Sequence, residues 1–589
     1  MELTANAMKI LRERYLLKSF DGTIKETPEA MIRRVAHVVA QAEKNYTDAE
    51  PAKWEEEFFR MMESLEFLPN SPTLMNAGNP IGQLSACFVL PVPDSLEGIF
   101  QAIRNMALVQ QTGGGTGFSF SELRPSDDIV STTGGFASGP VSFMRVFDSA
   151  TESIKQGGRR RGANMGVLRI NHPDIVDFIL CKMEPGTFSN FNISVAVSDS
   201  FIEAYRKGVE IPLVNPRTGK EDRRIDARYL FDLLCRAAWE TGDPGIIFLD
   251  RVNRDNPTPA LGMIEATNPC GEVPLLSYES CNLASINLSR MLKVKKKERI
   301  FDFERFGKIV EKGVRFLDDV IDVNRFPLEE ISQATLGNRK IGLGIMGFAD
   351  LLIQLGIPYD STEALKIAEK IISFMRKRAL EASVSLAEKR KPFPNYPHSI
   401  FKAKKVKVRN ACRLSIAPTG TISLIAATSS GIEPLFAVAH IRKHVLGGKE
   451  FLEVNPLFVE ALKSRKIYSE FLMEEIARKG SVRGIKGVPD DLKKLFVTAL
   501  DIPPMRHLKM QAVFQKHVDS GVAKTVNMKH SALIDHVKQV YLIANKLDLK
   551  GVTIYRYGSK QSQVLNLGIP EKFSIEHLLR CDPDTCLID

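Results

Sequence analysis

No apolar run in the sequence approaches the ~20 residues that a membrane-spanning helix needs, so no membrane role is expected. The first fifteen residues hold no apolar signal core, which predicts a cytoplasmic chain. Cysteine is scarce, with eight among 589 residues, and no two of them form a Cys-x-x-Cys pair. That excludes a disulfide-framed secreted scaffold and predicts no metal site. No glycine-rich loop is followed by Gly-Lys-Ser or Gly-Lys-Thr, so a Walker loop is absent. Neither sign of charge dominates: 80 Lys and Arg stand against 70 Asp and Glu, a formal net charge of +10. Basic runs such as Lys295–Lys297 and Lys402–Arg409 read as solvated faces, and no nucleic-acid partner is expected. What remains is ordinary globular composition, 44% hydrophobic and 25% charged, with mean hydropathy −0.10. The length suits one large catalytic domain with appendages, or a few smaller domains.

One cysteine is set apart by its neighbours. Asn268-Pro269-Cys270-Gly271-Glu272 places a thiol between an amide and a carboxylate, two residues to either side. Pro269 fixes the backbone before the thiol, and Gly271 permits turns that other residues disfavour. In an extended segment, positions 268, 270 and 272 point the same way, because side chains alternate with period two. Such a segment presents a donor and acceptor, a sulfur and a base to one point. A plain turn accounts for the same residues equally well, since Asn-Pro and Cys-Gly are ordinary loop dipeptides. Cys87 sits in Ser85–Leu90, which reads as a buried strand in which a cysteine is commonly a small hydrophobe. Cys281 opens a second turn-to-strand stretch, Ser280–Leu288, with ten residues between it and Cys270. Cys581 and Cys586 have the look of either a mobile dithiol or an inert tail.

Around these, residues 1–66 read as helices over Met8–Phe20, Pro28–Lys44 and Trp54–Ser64. Asp94 or Ser95 can cap a helix running to about Gln111. Thr112–Gly117 then packs four glycines into five positions, which lets the backbone approach a ligand or another strand. Gly157–Gly162 encloses three arginines, suited to phosphate or carboxylate, or else a solvated loop. Residues 163–270 alternate strand-like runs (Met165–Ile170, Phe191–Val197, Ile246–Leu249) with helical ones (Asp174–Cys181, Asp199–Lys207, Ala227–Thr241). That alternation predicts α/β architecture with parallel strands. Residues 301–390 read as helical. Within them, Gly342–Gly347 matches the dinucleotide fingerprint but lacks the strand before it, so close helix packing is expected there. Ile416–Ser423 sets hydroxyls around Gly420 in a turn whose N–H groups can cradle phosphate. Ser429–Pro434 reads as a further turn, 435–550 as helix and loop without a recognisable site, and Gly551–Arg556 as a last strand.

Taken in order, NSPTLMNAG, LSACF, DSLEGIF, TGGGTGFSFSELRP, QGGRRRGANMG, NPCGE, SCNLASINL, GLGIMGFADLL, APTGTIS and SSGIEP resemble the large catalytic chain of ribonucleotide reductases. The likeness is greatest to class II, the adenosylcobalamin-dependent enzymes, and runs from about residue 8 to about residue 568. The resemblance implies a ten-stranded α/β barrel of two parallel five-stranded halves, antiparallel to each other, with a central finger loop carrying NPCGE. It implies a helical region at 1–66, the barrel at 67–560 and a flexible tail at 561–589. Cys270 would be the thiyl radical that removes the ribose 3′-hydrogen. Glu272 would take the 3′-hydroxyl proton, and Asn268 would hold that hydroxyl. Cys87 and Cys281 would be the dithiol that supplies two electrons and ends as a disulfide. Ser71, Ala86 and Thr419-Gly420-Thr421-Ile422 would bind the ribonucleotide, the last four on its phosphates. Asp94, Ser95, Leu96, Gln111 and Arg124 match an allosteric deoxynucleotide site at a homodimer face. Loops at 159–163 and 182–187 would relay effector identity to the substrate base. Cys581 and Cys586 match tail cysteines that carry electrons from a thioredoxin-like or other dithiol reductant. Chemistry supports these roles: losing water from carbon needs a placed acid and base, and net deoxygenation needs a two-electron donor.

The iron-dependent class carries a Tyr-Tyr pair near the end of the barrel, whereas this chain has Ile554-Tyr555 there and no Tyr-Tyr anywhere. No C-terminal glycyl-radical motif is present either. Adenosylcobalamin is therefore the expected radical source, diphosphates are the expected substrates, and no local cobalamin motif is visible. Tyr557 stands where close relatives carry an acidic residue. The N-terminus is too short for the family's ATP-binding cone, which predicts specificity control without overall activity control. Two other readings stay open: a reductase of another class with a separate radical source, and a non-catalytic nucleotide-binding regulator on the same scaffold. The intact set Cys87, Asn268, Cys270, Glu272 and Cys281 argues against the second.

Overall fold

The computed structural model describes residues 1–47, 49–129, 134–154, 162–446, 449–559 and 565–567. Near the N-terminus, α1 (Pro28–Ala40) begins where the Thr27 hydroxyl accepts from the Ala30 N–H, with Pro28 at the first turn. Its Met31, Ile32, Val35 and Val39 share one apolar core with Phe58, Phe59 and Met62 of α2 (Pro51–Glu63). The same core reaches the back of the barrel, so the helical layer is fastened by burial.

Ten strands pair into the central sheet: β1 (Phe67–Pro69), β2 (Cys87–Val89), β3 (Gly115–Ser119), β4 (Asn164–Arg169), β5 (Phe191–Val197), β6 (Gly245–Phe248), β7 (Ser280–Asn287), β8 (Ile341–Met346), β9 (Thr525–Met528) and β10 (Gly551–Arg556). Strands β2 through β6 run parallel in order. Strand β7 runs parallel to β8, and β9 to β10. Single parallel bridges, Leu343 to Leu414 and Ile416 to Val522, carry the segment 414–416 between β8 and the approach to β9. This short segment completes the second parallel half. Strand β1 is an addition that shares one edge of β7 with β2. The halves meet antiparallel at two seams, β2 with β7 and β6 with β10. The architecture is the barrel of two opposed parallel halves that the sequence resemblance implies.

Helices cover the outside, among them α3 (Leu96–Gln111), α4 (Gly139–Ile154), α5 (Phe303–Val323) and α6 (Thr362–Arg390). Behind β2 to β6, Ile99, Met106 and Val109 of α3 pack with Met144 and Phe147 of α4. The interior holds its own apolar cluster, in which Ala266, Val273 and Leu275 meet Cys87, Met165 and Cys281. The barrel is thus filled by the chain between β6 and β7.

One expectation is corrected here. Gly342–Gly347 does not pack helices; residues 341–346 are strand β8. A Cβ at Gly342 would meet Leu283 Cδ2 at 2.2 Å, and one at Gly344 would meet the Ser415 carbonyl oxygen at 2.3 Å. The glycines serve close approach between strands, and that requirement is invisible to a helical reading of the flanks.

Candidate active site at the finger tip

Ala266–Thr267 and Pro274–Leu275 pair antiparallel, and residues 268–272 close the end of this small hairpin. The turn is locked by its own sequence. The Asn268 side-chain oxygen accepts from the Val273 N–H at 2.9 Å, and the Gly271 N–H donates to the Asn268 carbonyl at 3.0 Å. Gly271 takes φ +82°, the left-handed region that glycine enters freely. The wall then holds the finger. Asn192 of β5 donates to the Pro269 carbonyl at 2.8 Å. The Gly521 N–H and the Ser415 hydroxyl donate to the Glu272 carbonyl at 2.7 and 2.9 Å.

The turn also corrects the period-two expectation. Cys270 is the exposed apex, whereas Asn268 and Glu272 are each 2% exposed. A closed turn breaks the alternation that an extended strand would keep. Cys270 opens onto a cavity of about 450 Å³ whose walls include Asn192, Ser194, Phe436, Asn527 and Tyr555.

Cys87 and Cys281 lie directly opposite each other across the β2–β7 seam. Directly opposed residues hold their Cβ atoms about 4.5–5.5 Å apart. Both are buried thiols. The Asn268 side-chain amide donates to the Cys87 sulfur at 3.2 Å, tying the finger to that thiol. Burial pushes the Cys281 thiol well above its usual value; Cys412, Glu279 and Glu272 add to this and Lys340 opposes it. Cys281 therefore stands as a protonated thiol. The buried ion pair of Lys340 with Glu279, at 2.6 Å, lies beside it. Cys412, Lys340 and Glu279 fall in none of the motifs above, because single buried groups leave no pattern in a sequence.

The other expected residues fall into two groups. Ser71 shares a 2.7 Å hydrogen bond with the Tyr15 hydroxyl, and Ala86 is buried beside Cys87. The loop at 419–422 follows directly on the barrel segment that touches the finger through Ser415. Thr419 takes φ +56°, unusual for a residue with a Cβ, while its hydroxyl accepts from the Gly431 N–H at 2.8 Å. Gly420 is exposed and Ile422 is buried. By contrast, Asp94, Ser95, Leu96, Gln111 and Arg124 sit on α3 and its flank, outside the barrel. Arg124 pairs with Asp94 at 2.9 Å, and the Ser95 hydroxyl caps α3 through the Gly98 N–H at 3.0 Å. Lys182, in the loop before β5, pairs with Asp243 at 2.9 Å. Residues 159–161, Cys581 and Cys586 lie outside the described residues. Among the described residues, no helix is long and apolar enough to cross a membrane.

The cavity wall holds groups that sequence patterns did not reveal. The Lys524 ammonium, with its side chain fully buried, reaches Glu433 at 2.5 Å and His507 at 2.9 Å. Only Glu433 falls within a motif noted above, the turn Ser429–Pro434.

Residues 1–82 match the ribonucleotide reductase all-alpha domain, and residues 85–408 and 401–555 match the ribonucleotide reductase barrel domain. A vitamin B12-dependent ribonucleoside-diphosphate reductase of Thermoplasma acidophilum is 49% identical over 648 aligned residues, covering 100% of this chain and 84% of that protein. A protein of the same description from Mycobacterium tuberculosis is 50% identical over 572 residues, covering 97% of this chain and 82% of that protein. The solved Actinobacillus ureae class Id ribonucleotide reductase alpha subunit shares the fold, with TM-score 0.77 at 23% identity over 94% of this chain and 97% of that one. With both domains matched and half the residues shared with full-length relatives, the chain belongs to the ribonucleotide reductase family, on the branch of the vitamin B12-dependent reductases.

Proposed function

We propose that this reductase converts ribonucleoside diphosphates to 2′-deoxyribonucleotides with adenosylcobalamin as its radical source, and that five residues carry the chemistry. The observation that supports this most is the arrangement of three sulfurs. Cys270 is the apex of a finger inside the barrel, and Cys87 faces Cys281 across the β2–β7 seam. The cavity onto which Cys270 opens fits a nucleoside-sized group: about 450 Å³ lies in the size class of small-ligand sites. It is far smaller than a whole corrinoid, which would sit at its mouth. Asn192, Ser194, Phe436 and Tyr555 would hold the group that enters. When bound, adenosylcobalamin supplies a carbon radical able to take the hydrogen atom of the Cys270 thiol.

The chain's own residues do the rest. The Cys270 sulfur takes the 3′-hydrogen of the ribose and later returns it. The Glu272 carboxylate accepts the 3′-hydroxyl proton, and the Asn268 amide holds that oxygen. Cys87 and Cys281 give up two protons and two electrons; the 2′-oxygen leaves as water and a disulfide forms between the two sulfurs. The raised Cys281 thiol suits this task, because it carries its proton to the reaction. Ser71, Ala86 and the 419–422 loop bind the substrate, the loop on its phosphates. Asp94, Ser95, Leu96, Gln111 and Arg124 form a deoxynucleotide effector site on a homodimer face, with loops at 159–163 and 182–187 as its relay. Cys581 and Cys586, in a tail at 561–589, re-reduce the disulfide with electrons from an external dithiol. The helical region at 1–66 and the barrel at 67–560 complete a cytoplasmic enzyme.

The test is direct. Protein supplied with adenosylcobalamin, a dithiol and a ribonucleoside diphosphate yields deoxynucleotide, and Cys270→Ser yields none. Product from that variant ends the assignment.

A further inference from the structure

Three polar side chains stand together at the Cys270 cavity and take no part in the chemistry above: Glu433 and Lys524 line it, and His507 lies buried behind Lys524. Lys524 is buried and spends all three of its hydrogens inside the protein, on Glu433, on His507 Nδ1 at 2.9 Å and on the Thr525 carbonyl. His507, also buried, donates through Nε2 to the Ala499 carbonyl at 3.0 Å, so Nδ1 keeps the lone pair that Lys524 needs. Burial, with the Lys524 charge behind it, holds this imidazole neutral. Glu433 is the outward end of the chain of contacts. One of its oxygens accepts from Lys524 and the other from the Thr525 N–H at 2.7 Å. Its side chain is nevertheless 26% exposed, and it lines the same cavity as Cys270.

This is an unusual way to spend a buried lysine. Burying an ammonium is costly, and a single ion pair seldom repays it. Here the lysine fixes one carboxylate in position and in charge. A carboxylate offers about four acceptor positions. Two are used, and the remainder face the cavity. The lysine itself has no hydrogen left to give. Lys550, which also lines the cavity, is held by Asp255 and by the Asp519 and Ser520 carbonyls. Among the described residues the wall therefore presents the Glu433 acceptors and no free lysine, which selects a neutral ligand bearing donor hydrogens and disfavours a phosphate. A nucleoside has such donors in its ribose hydroxyls.

We propose that Glu433, held by Lys524 and His507, is the specificity-determining acceptor for the nucleoside part of the adenosylcobalamin cofactor. This rests on the reading that the cavity receives that group. Glu433 is a binding residue in this role, with Lys524 and His507 positioning it. It makes no contact with substrate and moves no proton.

The experiment reads cobalamin binding by visible absorption and equilibrium dialysis, with no turnover. Adenosylcobalamin and methylcobalamin are compared, because they share the corrin and differ in the nucleoside. Glu433→Gln is expected to weaken adenosylcobalamin binding about tenfold or more, the scale of a lost charge-assisted hydrogen bond. Methylcobalamin binding should stay within twofold. Glu433→Asp, which keeps the charge opposite Lys524 but withdraws the oxygens, should show the same selective loss if Glu433→Gln proves unstable. Equal weakening of both cobalamins, or of neither, overturns the proposal. Thr553→Trp, which fills the cavity from β10, separates this failure from a failure of the underlying reading. If that variant binds both cobalamins as the unaltered protein does, the cavity is not the cofactor site and both ideas fall. If it weakens adenosylcobalamin and spares methylcobalamin while the Glu433 variants have no effect, only the role of Glu433 falls.

Discussion

A methyl group at position 117 would stand 1.7 Å from the carbonyl oxygen of Thr267. No rotamer relieves that clash, because both partners are backbone. The finger comes this close because β3 is glycine-rich where the hairpin crosses it; a Cβ at Gly115 would likewise meet Pro269 at 2.9 Å. Gly117→Ala should leave the barrel folded and push the finger off its seat. A displacement near 1 Å at a reacting group costs on the order of 100-fold in rate, so deoxynucleotide formation should fall by about that factor. Gly113→Ala is the control. Its φ is +93°, but nothing stands within 4 Å of the added carbon. It should cost about 1–2 kcal/mol of stability from backbone strain and leave the rate alone. Rate assays beside thermal unfolding separate the two outcomes. At this scale the sequence was informative: the glycine cluster pointed to close approach, and the pentapeptide named the sulfur. It could not say whether a ligand or another strand comes close to the cluster, because that depends on a chain segment some 150 residues away.

Between elements, the join of the helical layer to the barrel is electrostatic as well as apolar. Arg390 of α6 contacts Glu43 at 2.6 Å, Asp319 at 2.5 Å and Asp318 at 3.2 Å. Arg315 of α5 also holds Glu43, and Arg339 and Arg409 also hold Asp318. Burial alone would raise Asp318, yet Arg339, Arg409 and Arg390 outweigh it and hold its carboxyl below the usual range. Beside it, burial raises Asp319 in spite of Arg390. Replacing Arg390 by Met strands these carboxylates, and an uncompensated buried charge costs about 3–5 kcal/mol. The sign with pH follows. A depressed carboxyl stabilises above its unfolded pKa of about 3.9 and stops doing so as pH falls through the folded value. A raised one loses its contribution as pH rises, and removing Arg390 raises it further. The Asp318 share of the Arg390→Met deficit is therefore full near pH 7 and shrinks as the pH falls below about 4, whereas the Asp319 share has already faded as the pH falls through its raised range. Urea unfolding across that range checks it; a deficit independent of pH would mean that lost packing, and not charge, is responsible. Elements were legible where they were long and periodic, as in Phe191–Val197 and Ala227–Thr241, whose bounds agree with the sequence reading. They were not legible where strands are short. Thr525–Met528 is four residues, and 414–416 is held by single bridges, so neither carries enough alternation to register.

For the whole molecule, the two antiparallel seams divide the labour. With five strands in each half, they fall on opposite sides of the barrel. One carries Cys87 and Cys281; the other, where Gly551 pairs with Ile247, borders the cavity that Cys270 faces. The finger lies between them, so in the proposed mechanism the radical source and the two-electron source would reach one sugar from different sides. Association belongs to this scale too. Helix α3 buries Ile99, Ala102, Met106 and Val109 against its own barrel, yet leaves Leu96 65% and Phe100 54% exposed. On the neighbouring α4, Val146 is 38% exposed. Apolar side chains grouped on paired helices, next to the proposed effector residues Asp94 and Ser95, fit an interface with a second copy of the chain. Replacing Leu96 and Phe100 together by Ser should therefore turn a dimer into a monomer in sedimentation velocity. The unfolding temperature of the isolated chain should hardly change, since both side chains already face water. Deoxynucleotide binding should weaken in parallel, because Leu96 is itself one of the proposed effector residues; Phe100→Ser alone, outside that set, tests whether the face as a whole carries the site. If the doubly substituted protein still sediments as a dimer, the interface lies elsewhere, and the effector site must be complete within a single chain.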